Sequence, residues 1–259
     1  MTSLNRSILN QFMTTTPPGA VLTTKWLEQR GVSSKLAWWY VHSGWLERVG
    51  DKAYKRAGDQ VQWRSAVAAL QTQLNLPIHI GAKTALQLLG KTHYIPMQGI
   101  KQVTLFADPG THIPLWLSNS KQWSVEFNIH KTALFKQQKS SLAIVDRPID
   151  GVNLKLSSPE RAAMEMLKLV PNEQSFEEAL LLFENLAQLR PAIVESLLKQ
   201  CNSIKVKRLF LYLAERCQHE WLSALDTNKI NLGHGKRVIG QGGTYIAKYQ
   251  LSVPIIKEG

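Results

Sequence analysis

Residues 22–56 read Leu22-Thr-Thr-Lys-Trp-Leu-Glu-Gln-Arg-Gly-Val-Ser-Ser-Lys-Leu-Ala-Trp-Trp-Tyr-Val-His-Ser-Gly-Trp-Leu-Glu-Arg-Val-Gly-Asp-Lys-Ala-Tyr-Lys-Arg56. The pattern predicts three elements: a helix over 23–30, a second helix over 33–43 and a β-hairpin over 45–56. Gly31 ends the first helix, Gly44 ends the second as a left-handed cap, and Gly50-Asp51 forms the tip of the hairpin. This order is typical of a winged helix-turn-helix, whose second helix enters the DNA major groove.

The two faces of the second predicted helix differ in chemistry. On a helical wheel Leu36, Tyr40 and Ser43 point one way and can pack on the first helix. The opposite face, the start of the helix and the hairpin supply the candidate DNA-binding residues: Ser33, Ser34, Lys35, Trp38, His42, Lys52, Lys55 and Arg56. Hydroxyls and lysine suit phosphates and base edges, and amides at a helix start suit a phosphate. A winged helix that binds protein or only scaffolds the chain is the alternative.

The charge of the chain also favours an anionic partner. The 259 residues carry a formal net charge of +12, with 44% hydrophobic and 19% charged residues. This composition is that of an ordinary folded protein, and the basic balance favours nucleic acid, an anionic membrane or an acidic protein. Acidic residues predominate only over 157–195, which indicates more than one charged surface.

Signals for export and membrane insertion are absent from the sequence. The first residues lack a long apolar segment, and no run approaches about 18 apolar residues. The cysteines Cys201 and Cys217 both fall in helical patterns, where reduced core thiols are expected. We therefore expect a cytoplasmic protein without disulfides and without a membrane partner.

The remaining sequence predicts a mixture of helices and strands. Helices are expected over 3–13, 61–75, 82–89, 159–169, 175–189, 191–201 and 203–218. Strands are expected over 77–81, 101–107, 123–129 and 142–145, and again within 235–253, where Gly240–Gly243 forms a hairpin turn. At the last helical group Ser158 is a plausible N-cap and Pro159 suits the first helical position.

The predicted fold class is therefore α+β. An N-terminal winged helix-turn-helix precedes a larger mixed α+β domain, which has a helical C-terminal part and a terminal β-hairpin. We place the DNA-binding domain at 1–62 and the second domain at 63–259, with a subdivision near residue 156.

A basic stripe is predicted on the helix at 203–218. Val206, Phe210, Leu213 and Cys217 face inward on the wheel, whereas another face carries Lys205, Arg208, Tyr212, Arg216 and His219. This stripe is either a solvated face or a basic groove for an acidic partner or nucleic acid. The Gly-rich segment 232–243 is either a plain hairpin turn or a phosphate cradle, in which Lys236 and Arg237 extend the basic patch.

No motif in the sequence argues for catalysis. The histidines are scattered without metal-ligand spacing, and the P-loop and nucleophile-elbow patterns are absent. His93 and Tyr94 are interpreted as structural. We expect no catalytic residue, no metal, no cofactor and no enzymatic activity.

Several segments taken together resemble the AbiEi-type antitoxins of type IV toxin–antitoxin systems, which belong to bacterial abortive-infection operons. They are Gly31-Val-Ser, Ser43-Gly-Trp-Leu-Glu-Arg, Val67 to Leu74, His79-Ile-Gly-Ala-Lys-Thr-Ala-Leu, His93-Tyr, Pro114-Leu-Trp-Leu, Ser157-Ser-Pro-Glu-Arg-Ala, Leu189-Arg-Pro, Lys205-Val-Lys-Arg-Leu-Phe-Leu and Leu232-Gly-His-Gly-Lys-Arg.

The resemblance implies a winged helix that binds inverted repeats in promoter DNA and represses its own operon. It also implies a C-terminal domain that counters a nucleotidyltransferase-like toxin without forming a stable complex with it. The DNA-reading role then falls to the second helix, and the antitoxin role to a basic surface: Lys205, Lys207, Arg208, Arg216, Lys236 and Arg237.

Two other functions remain open from the sequence. One is a winged-helix regulator whose second domain binds a small-molecule effector. The other is a DNA-targeted enzyme that uses the winged helix only to reach its substrate.

Overall fold

A computed structural model of the chain describes residues 11–92, 99–118, 120–136 and 141–255. The chain folds into two compact units, each assembled from separate segments. The first unit comprises residues 1–79, 100–129 and 146–155, and the second comprises 80–99, 130–145 and 156–259. Helices and strands are mixed throughout, which confirms the predicted α+β class. The domain boundary after residue 62 stays a prediction.

The first unit begins with the elements that the sequence predicted most sharply. Residues 11–15 are helical (α1), and the rest of the helix predicted at 3–13 lies outside the described residues. The following elements are β1 (Leu22–Thr23), α2 (Thr24–Glu28), α3 (Ser34–His42), β2 (Leu46–Gly50) and β3 (Ala53–Arg56). The strands form an antiparallel sheet in the order β1-β3-β2, in which β2 and β3 are the predicted hairpin.

A small hydrophobic core holds these elements together. Its buried members come from α1, α2, the turn that follows α2, α3 and the sheet: Phe12, Leu22, Leu27, Val32, Ala37, Tyr40, Leu46 and Tyr54. Burying one large apolar side chain contributes roughly 1.5–3 kcal/mol relative to leaving it in water. The core therefore fixes the position of α3 against α2 and the sheet.

A five-stranded sheet follows along the chain. Helix α4 (Trp63–Ala68) continues as a π-helical turn to Gln73 and leads to the strands β4 (Ile78–Ile80), β5 (Gln102–Ala107), β6 (Glu126–Lys131), β7 (Ile144–Ile149) and β8 (Val152–Ser157). The strand order is β6-β5-β4-β8-β7. The prediction that a strand starts at Trp123 is wrong, because Trp123 ends the short helix α6 (Ser120–Trp123) and Ser124 has a φ of 55°. Strand β8 was not predicted.

The second unit is mainly helical, and its predicted helices are confirmed, although the helix predicted over 175–189 ends at Glu184. They are α5 (Ala82–Leu88), α7 (Pro159–Leu169), α8 (Phe176–Glu184), α9 (Pro191–Gln200) and α10 (Ile204–Arg216). Ser158 is the N-cap residue of α7, and Pro159 occupies its first turn. Cys201 and Cys217 are free thiols, but of the two core thiols expected only Cys201 is buried, and Cys217 is partly exposed.

The chain ends in a three-stranded sheet rather than a single hairpin around Gly240–Gly243. Strands β9 (Arg237–Val238), β10 (Thr244–Ile246) and β11 (Leu251–Val253) lie in the order β10-β11-β9. The terminal hairpin consists of β10 and β11, whose turn passes through Gln250 in the left-handed conformation. Strand β9 pairs in parallel with β11 and not with β10. The segment Gly240–Gly243 therefore connects β9 to β10 without forming a hairpin turn.

Two buried carboxylates, each paired with an arginine, organise the start of α7. The Glu160 side chain is buried, at 1% exposure. It accepts bidentate hydrogen bonds from the guanidinium of Arg190, from Nε to Oε1 at 2.8 Å and from Nη2 to Oε2 at 3.0 Å. Burial by itself raises the pKa of Glu160, but the hydrogen bonds from Arg190 and Ser158 outweigh it and lower this pKa to about 2. Beside this pair, Glu165 is fully buried and accepts from Arg161 and Ser157.

Over the described residues, no helix has the length and apolar character needed to cross a membrane.

The Glu160→Gln substitution should lower the free energy of unfolding by about 2 kcal/mol at neutral pH, because it removes charged hydrogen bonds inside the protein. In the folded chain the pKa of Glu160 lies below its ordinary value of 4.5. The stabilisation that the ionised carboxylate provides is therefore complete above pH 4.5. The contribution is lost as the pH falls towards 2. Urea unfolding at several pH values should therefore show the two proteins converging in acid.

Glu177→Gln is the matched control, because Glu177 is exposed on α8. It should change stability by less than about 0.5 kcal/mol. A Glu160→Gln protein as stable as the wild type at neutral pH would contradict the role of this ion pair.

Candidate DNA-binding surface

Helix α3 is defined at both ends by local capping. Gly31 has a φ of 79° and lets the chain turn between α2 and α3, where the amide of Val32 donates to the Leu27 carbonyl at 3.0 Å. The Ser33 hydroxyl then caps α3 by accepting from the amide of Leu36 at 3.3 Å. Gly44, with a φ of 74°, ends the helix, as predicted from its left-handed preference.

The inner face of α3 is anchored in the core. Ala37 and Tyr40 are fully buried, and Leu36 and Val41 pack partly against the same core. Burial raises the pKa of the Tyr40 hydroxyl. The prediction that Ser43 also faces inward is wrong: Ser43 is the C-cap residue, past the last helical turn, and it is exposed.

The start and outer face of α3 carry five of the eight predicted DNA-binding residues. All five are exposed: Ser33, Ser34, Lys35, Trp38 and His42. Trp38 is 51% exposed, which is unusual for so large an apolar side chain. Two further exposed tryptophans were missed, Trp39 and Trp45. The wheel could have found Trp39, because it lies only 100° from Trp38 around the helix.

One stacking contact and two hydrogen bonds order the outer face of α3. The rings of Trp38 and His42 stack with their centroids 3.6 Å apart, and the Nδ1 atom of His42 lies 2.8 Å from the Trp38 carbonyl oxygen. At the other end, the Ser34 hydroxyl donates to the Glu28 carboxylate at 3.0 Å. Trp38 and His42 are therefore held as a pair, whereas Ser34 already has an acceptor within the protein.

The predicted hairpin cations do not lie in equivalent environments. Lys55 pairs with Glu47 at 2.8 Å, and its hydrogen bond is the main cause of the lowered pKa of Glu47. Arg56 bonds the Asp59 carboxylate at 3.1 Å and the Met13 carbonyl at 3.1 Å. Only Lys52 of the three predicted hairpin cations is exposed, at the turn.

Arg48, on β2, is an exposed hairpin cation that was not predicted. Its guanidinium lies 5.9 Å from the ring centre of Tyr54.

The hairpin is braced at its tip. The amide of Thr24, at the start of α2, donates to the Lys52 carbonyl at 3.0 Å. On β2, a Cβ atom added to Gly50 would come within 2.4 Å of the Trp116 Cβ, so only glycine allows this approach. The tip is thus fixed from two sides, and Lys52 is presented from a rigid turn.

The six residues predicted as an antitoxin surface do not form one surface. Arg208 is 2% exposed, and its guanidinium donates to a set of backbone carbonyls: Leu232, Gly233, Gly235 and Gln250. Lys207 is also buried and donates to the Asn231 carbonyl at 3.0 Å. Lys205 is half-buried and donates to the carbonyls of Lys168 and Val170.

The prediction of an exposed stripe is therefore wrong for Arg208, Tyr212 and His219, which are buried. Lys207, predicted as part of the antitoxin surface, is buried as well. The helical wheel separated the faces of α10, but it could not show that the chain at 231–235 packs over the face that carries Arg208. Arg216 and Lys236 are exposed, with the ammonium of Lys236 5.1 Å from the Tyr245 ring centre. Arg237 is half-buried and donates to the Lys236 carbonyl at 3.1 Å.

Among the described residues, no three His, Cys, Asp or Glu side chains come together in a way that could hold a metal ion. His93 and Tyr94, interpreted from the sequence as structural, lie outside the described residues.

Comparison with known proteins places the chain in a class of transcriptional regulators. Residues 5–97 match the model of the AbiEi antitoxin N-terminal domain, and residues 100–254 match that of the transcriptional regulator, AbiEi antitoxin, of type IV toxin–antitoxin systems. The chain therefore belongs to the AbiEi antitoxin family, which confirms the resemblance found in its sequence motifs.

A solved structure shares the fold. The crystal structure of the RV2827C protein from Mycobacterium tuberculosis superposes with a TM-score of 0.61 at 14% identity, covering 96% of this chain and 90% of that one. At this identity the likeness shows the fold alone. A search of curated proteins gives no match.

The Arg208→Met substitution should lower the free energy of unfolding by about 3 kcal/mol, because it leaves several carbonyls without their charged donor. Arg216→Met is the matched control on the same helix, since Arg216 is exposed. It should change stability by less than about 0.5 kcal/mol. Equal and small effects of both substitutions in thermal unfolding would contradict the structural role of Arg208.

Proposed function

We propose that this chain binds the promoter DNA of its own operon through α3 and represses transcription, and that it also acts as the antitoxin of a type IV system. The observation that carries the proposal is the division of α3 into a core-anchored face and an exposed face of Lys35, Trp38 and His42. A helix with this division is suited to the major groove, because its core side fixes the register of the side chains that reach the bases.

The charges of the region support binding to a duplex. Lys35, Arg48 and Lys52 are exposed, and within the described part of the chain none of them forms an ion pair. Lysine and arginine side chains that neutralise phosphates release counterions, so affinity should fall steeply with salt. A cation that is already paired with a carboxylate contributes less to counterion release. Lys55 and Arg56 are paired, so we assign them to the support of the hairpin and not to primary contacts with DNA phosphates.

Repression in this proposal needs no chemical step. Binding to inverted repeats in the promoter occludes or bends the site, and we assign no catalytic residue and no cofactor. The protein would act in the cytoplasm, where the operon is transcribed. The organisation proposed from the sequence is retained, with the DNA-binding role in residues 1–62 and the antitoxin role in residues 63–259.

The antitoxin role is proposed for the exposed basic residues of the second unit. Arg216 and Lys236 are accessible, and Arg237 lies beside Lys236. Lys207 and Arg208 would act indirectly, by holding the backbone that presents Lys236. Lys205 would act indirectly as well, by holding the carbonyls at the end of α7. The functional partner is a nucleotidyltransferase-like toxin, which the protein counters without forming a stable complex.

Lys35→Ala should weaken binding to the operon's promoter duplex by about threefold to tenfold and reduce the salt slope by about one, as expected for the loss of one phosphate contact. Gel-shift or fluorescence-anisotropy titrations at several salt concentrations measure both quantities.

The matched control is Lys101→Ala, which removes an exposed lysine from another segment of the first unit. If Lys101→Ala weakens binding as much as Lys35→Ala, the effect reports net charge and the assignment to α3 is wrong.

Repression and antitoxicity should be separable. A protein carrying Lys35→Ala and Trp38→Ala should lose repression of a promoter–reporter fusion, because α3 would lack its main contacts. The same protein should still rescue growth when it is produced together with the toxin encoded beside it. Loss of both activities in a protein that remains folded would contradict the separation of the two roles.

A further inference from the structure

We propose that His42 reads one base of the operator by accepting a hydrogen bond from the exocyclic amino group of adenine or cytosine in the major groove. The proposal rests on the proposed DNA-binding function and adds the chemical identity of one contact. It follows from the geometry of the Trp38–His42 pair, in which the imidazole has one of its two nitrogens already engaged.

The hydrogen bond to the backbone decides which nitrogen of His42 carries the proton. Nδ1 lies 2.8 Å from the carbonyl oxygen of Trp38, one helical turn earlier. A carbonyl oxygen can only accept, so Nδ1 must be the donor. In a neutral imidazole the other nitrogen then has no proton, and Nε2 is a hydrogen-bond acceptor.

The stacking contact fixes the direction in which Nε2 points. The indole of Trp38 lies against the imidazole with 3.6 Å between ring centres and 30° between ring planes. A rotation of the His42 side chain would break both this contact and the bond to the backbone. Because Nδ1 is directed at the helix backbone, Nε2 on the far side of the ring is directed away from it, and His42 is exposed.

An outward acceptor on this face discriminates among bases. In the major groove only adenine N6 and cytosine N4 present amino donors, whereas guanine presents N7 and O6 and thymine presents O4, all of which are acceptors. A neutral His42 therefore favours adenine or cytosine and opposes guanine or thymine at the base that it meets. Lys35, which has donors only, can bond only the acceptor atoms of the bases and therefore cannot produce this preference.

The test measures the affinity of the full chain for a set of operator duplexes in which each base pair is replaced in turn by the other three. Titrations at about pH 8 keep histidine side chains ordinarily neutral. In each half-site one position should bind adenine or cytosine about fivefold to tenfold more tightly than guanine or thymine, as expected for one hydrogen bond.

Three variants make the result specific. His42→Ala should reduce the preference at that position to less than about twofold and keep the preferences elsewhere, with an unchanged melting temperature. His42→Arg should move the preference at the same position to guanine, whose O6 and N7 suit a guanidinium. Lys101→Ala, the matched control outside the proposed DNA-binding surface, should keep every base preference of the wild type.

Two results would overturn the inference while leaving the proposed function intact. In the first, His42→Ala keeps every base preference of the wild type. In the second, it weakens binding to all duplexes equally, which would mean that His42 contacts a phosphate. A wild-type protein that binds no operator duplex in preference to unrelated DNA would instead overturn the proposed function itself.

Discussion

Burial of the inner face of α3 is the interaction on which the functional interpretation depends. Tyr40 and Ala37 are removed from water by contact with the core that includes Leu27 and Leu46. Because protein interiors are close-packed, a helix anchored in this way has little freedom to rotate about its axis. The exposed side chains on the opposite face are therefore held in one register, which is the requirement for reading a groove rather than merely adhering to its phosphates.

In the second unit, sequence segments that carried the family resemblance contact one another. Glu160, from the segment beginning at Ser157, binds Arg190 of the Leu189-Arg-Pro segment. Arg208, in the segment that begins at Lys205, bonds the backbone of the segment that begins at Leu232. A buried charge without a partner is strongly unfavourable, so Glu160 and Arg208 each depend on the segment that supplies the partner. The charges of Glu160 and Arg208 thus stabilise the fold, whereas Arg216 and Lys236 are exposed to solvent.

The parts of the fold that local sequence determines were predicted well. Gly31 and Gly44 ended the helices around α3, and Ser158 with Pro159 marked the start of α7, because caps act within one turn of the chain. The exposure of Trp38 and His42 followed from helical periodicity. Burial of Arg208 did not, because its carbonyl partners lie 24 to 42 residues further along the chain. The parallel pairing of β9 with β11 could not be predicted either, because β10 lies between these two strands in the sequence.

Photocrosslinking tests the central claim most directly. A benzophenone-bearing residue placed at position 38 of the full chain should crosslink to the promoter duplex, and the crosslink should map to bases within the inverted repeat. The same residue at position 181, where an exposed leucine lies on α8 of the other unit, should crosslink far less. Equal crosslinking from both positions, or none from position 38 under conditions of specific binding, would contradict the account.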